Sequence, residues 1–260
     1  MGKVKSGIWI LSAPIINNVV VVLTGESAVD TTKPNGRKLK RRVLELLTST
    51  DLNPVLDELC RLPARQVINP LFSFLSGADP TVRWHAITAM GVVVARLAAK
   101  DMEGARVIMR RLMWSLNDES GGIGWGAPEA MAEIMARHDG LAREYAHILV
   151  SYVRPEGNFL EHELLQRGAI WALGRLAQMR PDLIQDCIPH LLPYLESKDA
   201  TVRGLAAWTM GLLRAETARP LLEGLLADNA EIQLYLDDKL TVRRVSDLAE
   251  QALSALGKQC

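Results

Sequence analysis

The sequence predicts an all-α solenoid of about five helical pairs. Five segments resemble one another: VRWHAITAMG, IGWGAPEAMA, LQRGAIWALG, VRGLAAWTMG and VSDLAEQALS. Their penultimate residues are Met90, Met131, Leu173, Met210 and Leu253, so successive copies are 41, 42, 37 and 43 residues apart. Each copy follows another amphipathic stretch, as Ala64 to Ser76 precedes the first one. The repeating unit is therefore two helices joined by a turn.

The start and end of these segments resemble the second helix of bacterial HEAT-like (PBS-lyase-type) repeats, with its pattern D-x-x-VR-x-x-A-x-x-ALG. Asp79-Pro80-Thr81-Val82-Arg83 and Asp199-Ala200-Thr201-Val202-Arg203 match the start of the pattern, and Leu173-Gly174 matches its end. The resemblance covers about residues 37–257. It implies a right-handed α-α superhelix whose second helices line a concave face. Such solenoids perform many functions, so the resemblance indicates an architecture and not an activity.

Each repeated segment carries its own helix-start signals. Asp79 or Thr81 can accept hydrogen bonds from free backbone N–H groups at the helix start, and Pro80 lies where a missing N–H costs least. The small alanines that follow allow neighbouring helices to approach closely. We therefore assign residues 37–260 to a HEAT-like repeat domain.

Residues 1–36 are expected to be a poorly ordered N-terminal extension. They contain a mostly apolar run, Ile8 to Leu23, which is interrupted by Pro14 and two asparagines. This run is shorter than the roughly 20 apolar residues that span a bilayer, so we expect no membrane partner. Two alternatives stay open: an export signal, and N-myristoylation of the MGKVKS start.

Composition limits the classes of partner. Thirty basic and thirty acidic residues give no net charge, which disfavours nucleic acid as a partner. The three cysteines, Cys60, Cys187 and Cys260, are far apart and form no CxxC pair, so we expect neither disulfides nor zinc, and a cytoplasmic location. The histidines lack metal-ligand spacing and are predicted to be surface or capping residues.

The segment DESGGIGWGAPE, residues 118–129, interrupts the helical pattern. Four glycines within six residues occupy the first turn of the helix in the second of the five copies, IGWGAPEAMA, so we expect helix to resume near Ala127-Pro128. One interpretation is a ligand loop, in which free N–H groups at Gly122, Gly124 and Gly126 hold a carboxylate or phosphate. The other is that these glycines only permit close packing of Trp125.

Four of the six tryptophans share one stripe when the copies are aligned. Trp84 and Trp125 occupy the first position of the stripe, and Trp171 and Trp208, aligned with Thr88, occupy the second. At about 100° per residue, both positions point away from the partner helix of the pair, toward the concave face. The rings either pack between helices beside Gly91, Ala132, Gly174 and Gly211, or line a groove for a peptide or a partner helix.

The candidate partner-binding residues combine this stripe with its edges and the glycine-rich segment. They are Trp84, Trp125, Trp171, Trp208, Arg83, His85, Gly122, Gly124, Gly126, Glu129, Arg167 and Arg203.

No GxSxG, HExxH or other catalytic motif is present. We therefore predict a non-catalytic protein- or peptide-binding scaffold without a cofactor. Two rival functions follow from the family resemblance: a HEAT-like DNA glycosylase, which also uses concave tryptophans and basic residues, and a tetrapyrrole (bilin) lyase or chaperone.

The last repeat carries a different pattern. Apolar residues alternate with period two from Ile232 to Leu236 and from Leu240 to Val242, on either side of Asp237-Asp238-Lys239. This predicts a small β-hairpin between the helices of the last repeat, with a role as a cap on the final apolar face.

Overall fold

The computed structural model describes residues 36–116 and 124–257. Within these ranges lie twelve α-helices and two β-strands. The helices are α1 (Gly36–Leu47), α2 (Leu52–Arg61), α3 (Ala64–Leu75), α4 (Pro80–Ala98), α5 (Met102–Leu116), α6 (Ala127–Arg137), α7 (Asp139–Ser151), α8 (Glu163–Met179), α9 (Ile188–Leu191), α10 (Ala200–Leu212), α11 (Arg219–Gly224) and α12 (Val245–Leu256). The strands are β1 (Glu231–Leu236) and β2 (Lys239–Arg244).

The predicted helical pairs are confirmed. Helices α4, α6, α8, α10 and α12 pack side by side, each against the next, and we call them the inner layer. Their partners α3, α5, α7, α9 and α11 pack behind them, with short 3₁₀ turns completing the last two. Helices α1 and α2 precede the first pair and contact α3 and α4. The hydrophobic core runs continuously between the two layers.

Local signals start the inner helices as the sequence predicts. Asp79 Oδ1 accepts a hydrogen bond from the Val82 N–H at 3.0 Å, and Asp199 Oδ1 accepts one from the Thr201 N–H at 2.8 Å. His138 and His162 cap α7 and α8 by accepting bonds from Leu141 N–H and Leu164 N–H, so these two histidines are capping residues.

Helix α6 starts differently, after Gly126, and this confirms the predicted restart near Ala127-Pro128. Gly126 has φ +79°, and a Cβ at this position would lie 2.6 Å from the Leu75 carbonyl oxygen. A Cβ on Gly124 would lie 2.9 Å from the carbonyl oxygen of Ser115. Gly126 therefore brings the chain against the backbone of α3 in the preceding pair, and Gly124 brings it against the backbone of α5. Gly122 lies outside the described residues.

Glycine also sets the distance between inner helices. A Cβ on Gly91 of α4 would lie 2.7 Å from the Glu133 Cβ of α6, and one on Gly211 of α10 would lie 2.7 Å from the Ala252 Cα of α12. Because protein interiors are close-packed, these positions leave no room for a side chain.

The predicted hairpin is confirmed, with β1 antiparallel to β2 and Leu236 paired with Lys239. Its two-residue turn, Asp237-Asp238, has φ +49° and +61°, as a type I′ turn requires. The hairpin packs on α10 and α12, but it also reaches Trp84 in the first helical pair. It therefore covers more of the inner layer than the predicted cap on the last repeat would.

Gly211→Ala is expected to lower the free energy of unfolding by about 1–3 kcal/mol, because the added methyl group overlaps Ala252. The matched control is Gly224→Ala in α11, where a Cβ meets nothing within 4 Å and the greater helix propensity of alanine stabilises by up to about 1 kcal/mol. Urea denaturation followed by circular dichroism measures both. Equal effects of the two substitutions would contradict the packing role of Gly211.

Candidate binding site on the inner helices

The tryptophan stripe is mostly buried. Trp84, Trp171 and Trp208 retain 7%, 3% and 8% of their accessible surface, whereas Trp125 is partly exposed. The prediction that these three tryptophans line an open groove across four repeats is therefore wrong. Trp208 lies directly against Gly174 of the neighbouring helix, which is the packing that the small residues predicted.

Tyr235 of β1 covers the other two buried rings. It stacks on Trp84 with ring centroids 4.6 Å apart and planes 7° apart. Its carbonyl oxygen accepts a hydrogen bond from Trp171 Nε1 at 3.0 Å, and its hydroxyl lies 3.1 Å from Thr88 Oγ1. Burial raises the pKa of Tyr235 to about 12, so the hydroxyl is protonated at neutral pH. The hairpin thus occupies the middle of the predicted groove.

A cavity of about 280 Å³ stays open beside the hairpin. It is walled by the first turns of α4, α6, α8 and α10 and by the near side of β1. Seven predicted residues line it: Arg83, Trp84, Trp125, Gly126, Glu129, Arg167 and Trp171. The remaining wall is formed by Leu164, Gly168, Thr201, Leu205, Glu231, Ile232, Gln233 and Leu240.

Glu129 is the buried acidic group of this cavity. The residue is 5% exposed, and no group among the described residues hydrogen-bonds to its Oε2. Gly168 on α8 makes room for it, since a Cβ there would lie 2.7 Å from that oxygen. Burial raises the pKa of Glu129, and the positive charge of Arg83 opposes this shift.

Arg83 supplies a buried donor to the same cavity. Its Nε is buried and has no hydrogen-bond partner within the described part of the chain. The guanidinium lies over the Trp84 ring, 5.4 Å from the centroid. Arg167, at the rim, is already fixed, because its Nε donates to Asp199 Oδ2 at 2.5 Å. A buried donor and a buried acceptor therefore border one cavity without satisfying each other.

Trp125 forms the exposed side of the cavity. Its ring lies 6.4 Å from the His162 ring, the two planes tilted by 46°. Because α6 begins only after Gly126, Trp125 stands on the turn before the helix and not on a packed helical face.

Three predicted side chains do not reach the cavity. His85 is buried, and its Nδ1–H donates to the Leu47 carbonyl of α1 at 2.8 Å, so it ties α4 to the first helix. Arg203 binds Asp228 Oδ2 through Nε at 2.8 Å and donates to the Ser197 carbonyl at 2.7 Å. Trp208, packed on Gly174, lies elsewhere in the inner layer. Both His85 and Arg203 have structural partners and are not groove edges.

Sequence reasoning missed two contributors to this region, Tyr235 and Gly168. The alternation around Tyr235 predicted a strand but not the surface on which the strand docks. Gly168 did carry a signal, because it aligns with Gly126 and His85 in the repeated segment, so a glycine occupies that position in two consecutive copies.

Comparison with known proteins agrees with the repeat architecture. Residues 163–213 match the model of the HEAT-like repeat family, which confirms the predicted resemblance over α8 to α10. A protein of Archaeoglobus fulgidus described as uncharacterized is 24% identical over 187 residues, covering 68% of this chain and 91% of that protein.

Solved structures with similar backbones include engineered proteins and designed armadillo repeat proteins. An engineered protein gives a TM-score of 0.49 at 19% identity, covering 84% of this chain and 96% of its own. A designed armadillo repeat protein in complex with the peptide (KR)4 gives 0.47 at 20% identity, covering 85% of this chain and 100% of its own. At these values the likeness carries no information on function. Among the described helices, none is long and apolar enough to cross a membrane.

Glu129→Gln is expected to change how stability depends on pH. The folded-state pKa of Glu129 is raised, so its contribution is complete below the ordinary value of 4.5 and decreases as pH rises toward the folded value. The wild type should therefore lose stability relative to Glu129→Gln as pH rises from 4.5, as measured by urea denaturation. Glu250→Gln, on the exposed side of α12, controls for the loss of one charge. Parallel wild-type and Glu129→Gln profiles would show that Glu129 is compensated in the folded chain.

Proposed function

We propose that this chain is a non-catalytic protein- or peptide-binding module, and that the cavity between α4, α6 and α8 takes one anchoring group of its partner. The observation that carries the proposal is the pair of buried atoms, Arg83 Nε and Glu129 Oε2, that border this cavity without hydrogen-bond partners among the described residues. An unmade hydrogen bond of a buried polar group costs about 1–3 kcal/mol. A partner that supplies both bonds recovers this cost on binding.

The two atoms define the chemistry of the anchoring group. Arg83 Nε–H donates, and the carboxylate of Glu129 accepts, so a group that carries both an acceptor and a donor satisfies both. A side-chain carboxamide or a peptide unit has this character. A full cation in the cavity would be repelled by Arg83, and an anion would be repelled by the carboxylate of Glu129. The flat faces of Trp84, Trp125 and Trp171 suit a planar amide.

Trp125 and Gly126 close the site in this proposal. Trp125 is the partly exposed aromatic of the cavity, and Gly126 places it by adopting a backbone conformation with positive φ. Tryptophan is enriched among the residues that dominate the energy of an interface, where the partner removes it from solvent.

Catalysis with Cys187 as the nucleophile is not supported. Cys187 is buried, and burial raises the pKa of its thiol to about 12, which leaves it protonated and unreactive.

The two rival functions receive less support. A DNA glycosylase needs several unpaired basic side chains to hold the duplex backbone, but Arg167 is paired with Asp199 and Arg83 lies beside Glu129. The cavity of 280 Å³ is too small for a tetrapyrrole, because pockets for drug-sized ligands have volumes of about 300–1,000 Å³. A wider depression of about 700 Å³ beside α12 is lined largely by exposed residues such as Glu250 and Gln251, and none of the described residues places a buried unpaired atom at its border.

Peptides selected from a random library on the immobilised wild-type chain should bind Trp125→Ala at least about tenfold more weakly, because the cavity loses its outer wall. Fluorescence anisotropy of labelled peptides measures the affinities. Trp114→Ala is the matched control, since Trp114 on α5 is 71% exposed and does not line the cavity.

Glu129→Gln tests the polar part of the site in the same assay. Peptides whose binding requires an Asn or Gln should lose affinity for this variant, since one of the two buried partners changes from acceptor-only to mixed character. Peptides that bind Trp125→Ala and Trp114→Ala equally well would place the binding surface elsewhere and refute the proposal.

A further inference from the structure

We propose that the middle of the inner face, now covered by the β1–β2 hairpin, is a second recognition surface for an extended segment of a partner protein. The segment carries a tyrosine followed, after one residue, by carboxylates. The hairpin, with Tyr235-Leu236-Asp237-Asp238, is the tethered stand-in for this segment. Trp84 and Trp171 border both this surface and the cavity, but the inference rests on their contacts with Tyr235 and not on the function proposed for the cavity.

The tyrosine is recognised by residues that are remote in sequence. Trp84 stacks on the ring, Thr88 contacts the hydroxyl, and Trp171 Nε1 donates to the backbone carbonyl. Trp84 and Thr88 contact the side chain of the tyrosine, and Trp171 binds its main chain. An extended peptide is usually bound through this combination of main-chain bonds and side-chain pockets.

A basic pair lies where the turn of the hairpin ends. Arg137 of α6 and Arg175 of α8 both form ion pairs with the buried Glu133, so two positive charges share one negative charge. Burial and the neighbouring Arg175 lower the pKa of Arg137 to about 10, which leaves it charged at neutral pH. The pair therefore has an excess positive charge that faces the hairpin.

The carboxylates of the turn lie near this positive charge but form no direct ion pair with it. Asp238 interacts favourably with both arginines through space, yet no ion pair within 4.0 Å joins it to them among the described residues. A cavity of about 160 Å³ lies between them, bordered by Arg137, Arg175 and Asp238. A partner carboxylate that enters this space makes the direct contact that the short aspartate side chains do not.

The hairpin is built so that it can leave. Both turn residues have positive φ, a conformation that glycine or asparagine adopts at lower cost than aspartate, and their adjacent carboxylates repel each other. A two-stranded ribbon is marginally stable by itself, and β2 is largely exposed, with Val242 61% exposed.

The base of the hairpin is held independently of its tip. Val245 N–H donates to the Ala230 carbonyl at 3.0 Å, and Ser246 N–H donates to the Asp228 carbonyl at 2.9 Å. Arg203 holds the Asp228 carboxylate. In this proposal, residues 231–244 leave the inner face as a unit while these contacts keep α11 and α12 in place. A segment that repeats the apolar pattern of β1 restores the contacts that are lost.

The test uses a synthetic fluorescein-labelled peptide of residues 231–244 and a chain in which these residues are replaced by a glycine-serine linker. The peptide should bind the replaced chain with a dissociation constant below about 1 mM. It should bind the intact chain at least about tenfold more weakly, because the tethered hairpin competes at a high effective concentration. A folded replaced chain that fails to bind the peptide overturns the proposal.

A double-mutant cycle identifies the subsite. In the replaced chain, Thr88→Val and a peptide with phenylalanine in place of Tyr235 should each weaken binding about three- to tenfold, and together no further. Additive losses would show that the tyrosine does not occupy the position it has in β1. Trp114→Ala in the replaced chain should leave peptide binding unchanged, because Trp114 is exposed on α5 and borders neither cavity. Binding of library-selected peptides to the intact chain is a separate measurement, so either proposal can fail without the other.

Charge and occupant are tested in the same way. Replacing both aspartates of the peptide with asparagine should weaken binding and reduce its dependence on salt. Unchanged affinity would remove the carboxylates from the proposal. Association of the replaced chain with the intact chain, abolished by the peptide, would make a second copy the partner and overturn the choice of a separate protein.

Hydrogen exchange on the intact wild type needs no variant. Amides of residues 231–244 should exchange through an opening that costs less free energy than the unfolding of α8 and α10. If they exchange only when those helices unfold, the hairpin is a fixed part of the fold and the proposal fails.

Discussion

The stacking of Tyr235 on Trp84 is the contact on which the inner face of this protein depends. It joins the first helical pair to a hairpin that lies about 150 residues later in the chain. The ring contact and the bond from Trp171 to the Tyr235 carbonyl hold β1 across the inner layer and divide its surface into two cavities. Without this contact, Trp84 and Trp171 would form one open aromatic surface, as the sequence predicted.

Glycine makes the second constraint. Gly91 and Gly211 bring inner helices close together, and Gly168 leaves space into which the Glu129 carboxylate projects. The same residue type therefore both closes and opens the inner layer. A larger residue at position 168 would fill the polar end of the cavity, whereas one at 211 would separate two helices.

The sequence predicted the fold because its signals are local. Asp79, Asp199 and Gly126 act within one helical turn, and the repeat of about 41 residues places the pairs in order. For the site, the aligned positions identified seven residues of the cavity wall, Glu129 and Trp125 among them.

The exposure of the site could not be predicted by the same reasoning. Helical periodicity gives the direction of a side chain from its own axis, but not what lies opposite it. Trp84 faces the inner side as predicted, yet Tyr235 of the distant hairpin covers it. His85 turns to Leu47 because α1 and α2 precede the repeats and have no counterpart in them. Arg203 is held by Asp228 at the base of the hairpin.

Two glutamates on α6 provide an internal comparison. Glu129 and Glu133 are four residues apart on one helix, and both are buried, at 5% and 3% exposure. Glu133 forms ion pairs with Arg137 and Arg175, so its charge is compensated within the fold. Glu129 forms no ion pair within 4.0 Å in the described part of the chain, and its charge is favoured by Arg83 through space and by a hydrogen bond from its own backbone.

Both residues pay a desolvation penalty for burying a carboxylate, so burial alone does not explain why only Glu133 has ion-pair partners. Glu133 joins inner helices α6 and α8 through Arg175, and this is a structural role. Glu129 borders a cavity that opens beside Trp125, where its missing partner can come from another molecule. Glu133 therefore belongs to the part of α6 that stabilises the fold. Glu129, one helical turn earlier, belongs to the part that is available to bind a partner.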